Sequence, residues 1–181
     1  MNTASPQTIA NLNAAFQGES NASHRYAAFA RHADAQGFPY EARLFRAASR
    51  AESIHAAGHA KTITALDGTV DALKLEPVQP GAVAENLQAA IAGETHEFTV
   101  MYPEFLQLAE SEDCKPALRS MSYAMAVEKQ HAALYQAALD NLGQNADRAI
   151  YVCPVCGETV LTVPEKCSVC GAAGRVFVSV E

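Results

Sequence analysis

The chain has 181 residues, enough for one domain or for a medium-sized domain with a small appendage. Its net charge of -7 and the lack of a basic tract argue against nucleic-acid binding, and no apolar run approaches the roughly 18 residues of a membrane span. Residues 1–16 lack the charged and apolar regions of a signal peptide, so we expect a cytoplasmic protein with neither membrane nor nucleic acid among its partners.

Two long helices are predicted first, with a short turn between them. Ser5 is placed to cap the first helix, Pro6 suits its first position, and Gly37 ends it. The second helix begins at Pro39 and ends before Gly68. A turn this short between two long helices predicts an antiparallel hairpin.

A second helical hairpin is predicted after a long connection. Residues 67–80 contain two prolines and no helical pattern, which predicts a crossover along the bundle. A third helix begins near Gly81, with Pro103 expected to bend or interrupt it, and a fourth ends at Gly143. Two hairpins joined by one long crossover indicate a mostly α fold, a four-helix bundle of the ferritin-like type.

Carboxylates and imidazoles recur on the inward faces of these helices. Seven such side chains fall on faces that otherwise carry Leu, Ile, Phe and Met: Glu19, Glu52, His55, Glu94, Glu97, Glu128 and His131. A spacing of three residues puts Glu52 beside His55 and Glu128 beside His131. One such pair alone would often be a solvated polar pair. Five carboxylates buried together, however, would repel one another unless cations neutralised them.

This combination of residues is the ligand set of a known kind of site. One Glu from each of two helices and a Glu-x-x-His motif from each of two others bind the metals of di-iron carboxylate bundles, and Glu97 is one carboxylate in excess. Tyr26 and Tyr102 could donate hydrogen bonds to the ligating glutamates, although helix packing explains them equally well. His59, one turn after His55, is a candidate to contact a ligand rather than to bind metal.

The composition of the chain changes after Gly143. Residues 144–150 form a polar linker, and residues 151–181 are rich in Val, Gly and Pro. A segment this short cannot build a stable core unaided, so a metal must hold it together. Its expected ligands are two Cys-x-x-Cys pairs, Cys153 with Cys156 and Cys167 with Cys170. Four thiolates suit tetrahedral zinc or iron, and the spacing does not choose between them.

At these residues the chain resembles the rubrerythrin family. The resemblance lies in segments 18–20, 45–55, 93–103 and 127–131 and in the four cysteines. It implies a ferritin-like di-iron domain over residues 1–143 and a rubredoxin-like β/loop domain over residues 151–181. The implied cofactors are two iron ions, bound by the seven carboxylate and histidine side chains, and one iron on the four cysteines. Ser168 departs from the pattern, since rubredoxins usually carry proline there.

The resemblance also implies an activity. The family typically reduces hydrogen peroxide to water, with electrons relayed from a separate redox donor through the cysteine-bound iron. On oxidation one iron exchanges the ligand matching His55 for the one matching Glu97. The family forms dimers in which the rubredoxin site of one subunit lies near the di-iron site of the other, so we expect a homodimer. Two alternatives stay open: ferritin-like iron oxidation and storage, and a zinc ribbon that binds a partner beside a structural bundle.

Overall fold

The computed structural model describes residues 4–146 and 148–181. Within these residues the α-helices are α1 (Pro6–Ala35), α2 (Pro39–Ala65), α3 (Val83–His96), α4 (Tyr102–Ser111) and α5 (Lys115–Asp140). Helix α1 packs along α2, and both α3 and α4 pack along α5. Both predicted hairpins are therefore present, and the ferritin-like arrangement is confirmed. No helix in the described ranges is long and apolar enough to cross a membrane.

The first hairpin begins and turns where the sequence predicts. The Ser5 hydroxyl accepts a hydrogen bond from the N–H of Thr8 at 3.2 Å, which caps α1. Glu112, in the turn before α5, accepts from the N–H of Ser5 at 3.1 Å and from the hydroxyl of Thr8 at 2.8 Å. Gly37, with a φ of 79°, makes the turn to Pro39 at the start of α2.

The crossover between α2 and α3 is extended chain held by amide side chains of α1. Asn13, Gln17 and Asn21 are four residues apart and lie on one face of α1. Each amide donates to one crossover carbonyl and accepts from the N–H two residues further on, at 2.8 to 3.1 Å. The carbonyls belong to Thr69, Ala72 and Lys74, and the N–H groups to Asp71, Lys74 and Glu76. The backbone polar groups of this irregular segment thus find partners along the bundle.

The predicted third helix is interrupted near Pro103, as expected. Between α3 and α4 the chain makes a π-helical turn, Glu97–Met101, in which the N–H of Tyr102 donates to the carbonyl of Glu97. Because proline has no N–H to offer to the next intrahelical bond, a widened turn can end at Tyr102 and α4 can begin there. Glu97, one of the candidate site residues, is the first residue of this turn.

Two apolar clusters fill the bundle, one on each side of a polar layer. The first includes the rings of Tyr26, Phe29, Phe45 and Tyr135, whose centroids lie 5.3 to 6.3 Å from their neighbours. The second includes Leu12, Ile63, Leu106 and Met121. Along α1, α2 and α5 the candidate site residues lie between members of the two clusters. Apolar side chains therefore enclose the polar layer from both ends.

The C-terminal segment forms a small antiparallel sheet. Strand β1 (Ile150–Val152) lies between β2 (Thr159–Val160) and β3 (Val178–Val180). Tyr151, in the middle of β1, faces Val160 on one side and Ser179 on the other. Strand β1 begins at the last residue of the predicted linker, and the division of the chain into domains stays a prediction.

This sheet packs directly on the bundle. Ile150 and Val152 are fully buried in the first apolar cluster. The Arg43 guanidinium of α2 donates to the carbonyls of Ala146 at 3.2 Å and Arg148 at 2.8 Å, which fastens the connection to the same helix. The cysteine-bearing segment is thereby positioned beside the polar layer of its own chain.

Candidate metal centres

The first half of the candidate di-iron site is built around the imidazole of His55. Its Nδ1 lies 2.9 Å from Glu52 Oε2, 2.9 Å from Glu128 Oε1 and 3.6 Å from Glu19 Oε2. All four side chains are buried, and one donor atom from each lies within 4.8 Å of the others. Ligands that share one ion at about 2 Å have this spacing.

The second half repeats the pattern around His131. Its Nδ1 lies 3.1 Å from Glu52 Oε1, 3.1 Å from Glu128 Oε2 and 3.9 Å from Glu94 Oε1. Glu52 and Glu128 therefore each turn one oxygen toward His55 and the other toward His131. This arrangement suits two carboxylates that bridge a pair of ions, with Glu19 at one end and Glu94 at the other.

A tyrosine supports the terminal carboxylate of each half. The Tyr102 hydroxyl donates a hydrogen bond to Glu19 Oε1, and the Tyr26 hydroxyl donates to Glu94 Oε1 at 2.7 Å. The two hydrogen bonds considered from the sequence are thus confirmed. They fix the orientation of carboxylates that would otherwise be free to rotate.

The C-terminal segment holds both histidines from outside. His55 Nε2 lies 2.9 Å from the carbonyl oxygen of Cys156, and His131 Nε2 lies 3.0 Å from the hydroxyl of Thr159. Because a carbonyl only accepts, His55 carries a proton on Nε2, and Nδ1 is the nitrogen that would bind a metal ion. Sequence reasoning missed both partners, since a backbone carbonyl has no residue signature and Thr159 stands in no motif.

The buried carboxylates of this cluster repel one another unless cations are present. Burial, and then the neighbouring Glu128, raise the pKa of Glu52 to about 7. Burial and the surrounding carboxylates also raise the pKa values of Glu94 and Glu97 well above the ordinary value. Burial alone would lower the pKa of His131, but Glu52 and Glu128 outweigh it and raise the pKa to about 9. Without metal cations, the cluster would need protons to supply the missing positive charge.

Several buried polar atoms of the cluster make no hydrogen bond. They are Glu19 Oε2, Glu52 Oε1, Glu97 Oε2, both carboxylate oxygens of Glu128 and His131 Nδ1. A buried polar atom without a partner costs about 1–3 kcal/mol, so their convergence needs a compensating interaction. Carboxylate oxygens with imidazole nitrogens are ligands that iron, manganese and zinc all accept. The residues present therefore fit a pair of divalent ions.

Glu97 is the one predicted ligand that lies outside both four-residue groups. Its Oε2 is buried without a hydrogen-bond partner, and burial, followed by Glu19 and Glu128, raises the pKa of its carboxyl group. The resemblance implies that His55 and Glu97 alternate as ligands of one iron. The geometry has His55 within the first group and Glu97 apart from it.

The four cysteines lie on two turns with the same backbone, which we call the first knuckle (residues 153–157) and the second knuckle (residues 167–171). The N–H of Gly157 donates to the carbonyl of Cys153 at 2.9 Å, and that of Gly171 donates to the carbonyl of Cys167 at 3.0 Å. The φ angles of the two glycines are 82° and 76°, in the left-handed region that only glycine adopts without strain. Each knuckle thereby brings its two cysteines to one side.

The four sulfurs converge between the knuckles. Cys153 Sγ lies 3.7 Å from Cys170 Sγ, and Cys156 Sγ lies 3.4 Å from Cys167 Sγ. All four lie within 4.8 Å of one another, and none is in a disulfide. Thiolates bound to one tetrahedral ion at about 2.3 Å have nearly this separation. The structure therefore brings together the four cysteines that the sequence singles out.

The two sites touch within one chain. Besides the contact of Cys156 with His55, Gly157 lies so close to α2 that a Cβ on it would be 2.6 Å from His55 Nε2 and 3.1 Å from Ala51 Cβ. Gly157 is thus required by its backbone conformation and also by this approach. The resemblance implies such proximity between subunits of a dimer, whereas here a single chain makes it.

Ser168, where rubredoxins usually carry proline, makes two hydrogen bonds to Glu158. Its N–H donates to Glu158 Oε2 at 3.0 Å, and its hydroxyl donates to Glu158 Oε1. Glu158 is buried beside the first knuckle and also lies 3.4 Å from the Gln130 amide of α5. Proline could make neither bond to Glu158. Ser168 therefore links the second knuckle to the first one and to the bundle.

Two groups of buried carboxylates and histidines inside a crossover bundle, beside four cysteines on paired knuckles, define a ferritin-like di-iron protein with a rubredoxin-like site. The family model for rubrerythrin matches residues 10–139. Rubrerythrin-2 of Clostridium acetobutylicum is 38% identical over 176 residues, with 92% of this chain and 92% of the relative covered. The chain belongs to the rubrerythrin family.

Two further comparisons agree with this assignment. Nigerythrin of Nitratidesulfovibrio vulgaris is 32% identical over 169 residues, with 93% of this chain and 84% of the relative covered. The structure of fully reduced, all-ferrous nigerythrin matches with a TM-score of 0.88 at 32% identity, covering 98% of this chain and 88% of that one. Together with the site geometry, these matches give the chain a di-iron site, one iron in a rubredoxin-like site, and an iron-dependent function of the rubrerythrin type. Members of this family are generally oxidoreductases.

Proposed function

We propose that the protein is a peroxidase that reduces hydrogen peroxide to water in defence against oxidative stress. The observation that supports it most directly is the contact between the two metal sites, where His55 Nε2 donates to the Cys156 carbonyl at 2.9 Å. A one-electron site joined to a ligand of a two-metal site suits repeated refilling of the pair with electrons. Iron storage of the ferritin type has no evident need for such a site.

We assign the individual ligands as follows. The di-iron ligands are Glu19, Glu52, His55, Glu94, Glu97, Glu128 and His131, with Glu97 and His55 alternating as the resemblance implies. The ligands of the single iron are Cys153, Cys156, Cys167 and Cys170. When bound, the iron pair supplies two electrons to peroxide, and the cysteine-bound iron replaces them one at a time. The spacing of the donor atoms supports this division into two sites.

The chain itself has to manage protons and water. Converting one hydrogen peroxide molecule into two waters consumes two electrons and two protons. The Tyr102 and Tyr26 hydroxyls hold protons against the terminal carboxylates Glu19 and Glu94. Glu52, Glu128 and His131 have no exposed surface, which keeps bulk water away from these three side chains.

Electrons must reach the cysteine site from another molecule. Cys170 is partly exposed, whereas Cys153, Cys156 and Cys167 are buried. We therefore place the approach of a redox donor, a reductase or a small electron-transfer protein, at the edge of the second knuckle. A homodimer, which the resemblance implies, and the cytoplasmic location expected from the sequence complete the proposal.

The proposal is tested by rapid mixing of fully reduced, iron-loaded protein with excess hydrogen peroxide. The visible absorption of the ferric thiolate site is followed with time, and the same protein is mixed with dissolved oxygen as the comparison. We expect the absorption to return much faster with peroxide than with oxygen. That result requires peroxide to take electrons from the di-iron site and the di-iron site to take them from the cysteine site.

Three other outcomes would each contradict a part of the proposed function. If the absorption returns no faster with peroxide than with oxygen, the peroxidase proposal is wrong and iron oxidation and storage leads. If the di-iron site is oxidised quickly but the thiolate absorption lags far behind, the electron route between the sites is wrong. A colourless protein loaded with zinc at the cysteines would favour a partner-binding role.

A further inference from the structure

His59 is a buried histidine with no place among the metal ligands. It is fully buried in α2 and belongs to neither four-residue group. Both of its ring nitrogens are nevertheless engaged. Nε2 lies 3.0 Å from the Tyr102 hydroxyl, and Nδ1 lies 2.8 Å from the hydroxyl of Ser120 in α5. His59 therefore joins a residue that touches the di-iron site to a residue on another helix.

Each of these hydrogen bonds is donated in the same direction, from Ser120 toward Glu19. Tyr102 donates to Glu19, because an ionised carboxylate only accepts. The Tyr102 oxygen then accepts from a proton on His59 Nε2. A neutral imidazole with its proton on Nε2 accepts at Nδ1, so Ser120 donates to it. The bonds run without a break from Ser120 through His59 and Tyr102 to Glu19.

This chain of bonds connects the surface with the buried site. Ser120 is partly exposed and lines a cleft of about 400 Å³ between α2, α5 and the first knuckle. Lys61, Thr62 and Arg119 line the same cleft. Glu19, at the other end, is only 1% exposed. A proton that enters the di-iron site from this cleft has a continuous hydrogen-bonded route.

We propose that Ser120, His59 and Tyr102 form a proton relay from the cleft to Glu19. In one passage, water in the cleft protonates the Ser120 oxygen while Ser120 gives its own proton to His59 Nδ1. His59 then releases its Nε2 proton to the Tyr102 oxygen, and Tyr102 gives its hydroxyl proton to Glu19 Oε1. The net change is one proton moved from the cleft to Glu19, without electron transfer. The passage leaves the proton of His59 on Nδ1, so the starting direction returns when the hydroxyls rotate and the imidazole changes back to the tautomer with its proton on Nε2.

The purpose of the relay rests on the proposed function, because peroxide reduction consumes two protons in each turnover at a site whose carboxylates are buried. His55 also borders the cleft, but its Nε2 faces the Cys156 carbonyl. The competing explanation is structural, since a buried histidine needs two partners for its ring nitrogens. A test must therefore detect proton movement as well as stability. Two variants of Ser120 separate these roles: Ser120→Thr keeps the hydroxyl, and Ser120→Val has nearly the same shape without it.

The first experiment needs no turnover. In zinc-loaded protein, 15N NMR of the histidine side chains reports which nitrogen of His59 carries the proton and how fast that proton exchanges with solvent. We expect the proton on Nε2, and exchange at least about tenfold slower in Ser120→Val than in Ser120→Thr. A proton on Nδ1, or equal exchange in the two variants, would overturn the relay.

The second experiment measures the rate at which peroxide oxidises reduced, iron-loaded protein. His59→Gln keeps a donor and an acceptor in the buried position, but an amide does not pass protons on. We expect it to react about 10- to 100-fold more slowly, with unchanged iron content, while replacement of the exposed His96 by Gln has no effect. In His59→Ala, added imidazole should restore part of the rate.

The outcomes of the two experiments keep the proposals apart. If the original protein does not react with peroxide, the proposed function fails, and the exchange measurement still decides whether the relay exists. If the original protein reacts and His59→Gln reacts equally fast, the relay is wrong and the peroxidase proposal stands.

Discussion

The two cysteine knuckles have the same backbone but different neighbours. In each, the first cysteine donates its N–H to a carbonyl five residues on, Cys153 to Glu158 and Cys167 to Ala172, both at 2.8 Å. Yet a Cβ on Gly157 would strike His55 and α2, whereas one on Gly171 would meet nothing within 4 Å. The comparison separates two features: local backbone geometry brings the cysteines of each knuckle together, but only the glycine of the first knuckle approaches the bundle.

The two knuckles also differ in how they depend on the metal. The first follows β1, whose Ile150 and Val152 are buried in the bundle core, whereas the second packs only with partly buried side chains, among them Val169 and Phe177, around the cysteines. Structural metals contribute on the order of 10 kcal/mol to small domains of this kind. Packing on the bundle should therefore preserve part of the first knuckle when the metal is gone.

The largest effect is expected from removal of the cysteine-bound iron. Hydrogen exchange followed by mass spectrometry should show that amides of the second knuckle lose nearly all protection, while those of β1 and the first knuckle keep part of theirs. Addition of zinc, which accepts the same four thiolates, should restore protection in both. If the second knuckle stays protected without metal, the argument that this segment needs a metal to fold is wrong.

The next effect is expected from the two knuckle glycines. Gly157→Ala and Gly171→Ala both place a side chain at a positive φ, at a similar cost of about 1 kcal/mol. Only Gly157→Ala should also push the first knuckle away from His55. In single turnovers with peroxide we expect oxidation of the cysteine-bound iron to slow on the order of 100-fold in Gly157→Ala and to stay near normal in Gly171→Ala.

Gly171→Ala is the control for backbone strain in that experiment, and the iron content of both variants must match that of the original protein. Equal slowing in the two variants would mean that strain, not contact with His55, limits electron transfer. Normal rates in both would mean that electrons leave the cysteine site by another route.

Much of this organisation could be predicted from the sequence, because the relevant signals are local. Prolines and glycines mark the helix ends, and a spacing of three places Glu52 and His55 on one face. The contact of His55 with the Cys156 carbonyl joins residues 101 positions apart through a backbone atom, so no residue pattern encodes it. How α2 of the first hairpin packs against the cysteine segment decides that contact.

The crossover and the interrupted helix could be predicted only in part from the sequence. Asn13, Gln17 and Asn21 recur every four residues on α1, a spacing that could have indicated amides paired with extended chain. Pro103 correctly signals an interruption, but the sequence does not tell that the preceding turn widens into a π-helix starting at Glu97. Both features depend on partners that the local sequence does not name.

The smallest effect concerns the residue after the first cysteine of each knuckle, Pro154 in one and Ser168 in the other. Because proline is accepted in the first knuckle, Ser168→Pro should fit the backbone and remove only the two hydrogen bonds to Glu158. Hydrogen bonds to a charged group are worth about 1.5–3 kcal/mol each, with non-additive losses. We expect Ser168→Pro to lower the unfolding free energy of the cysteine segment by about 3 kcal/mol, measured by urea-induced loss of thiolate absorption.

Ser168→Ala keeps the backbone N–H and loses only the hydroxyl, so it should lower the same unfolding free energy by about half as much. Pro154→Ser, at an exposed position of the first knuckle, is the matched reverse change and should alter it by less than about 0.5 kcal/mol. If Ser168→Pro and Ser168→Ala are equally destabilised, the N–H bond to Glu158 contributes nothing. In that case Ser168 stabilises the second knuckle through its hydroxyl group alone.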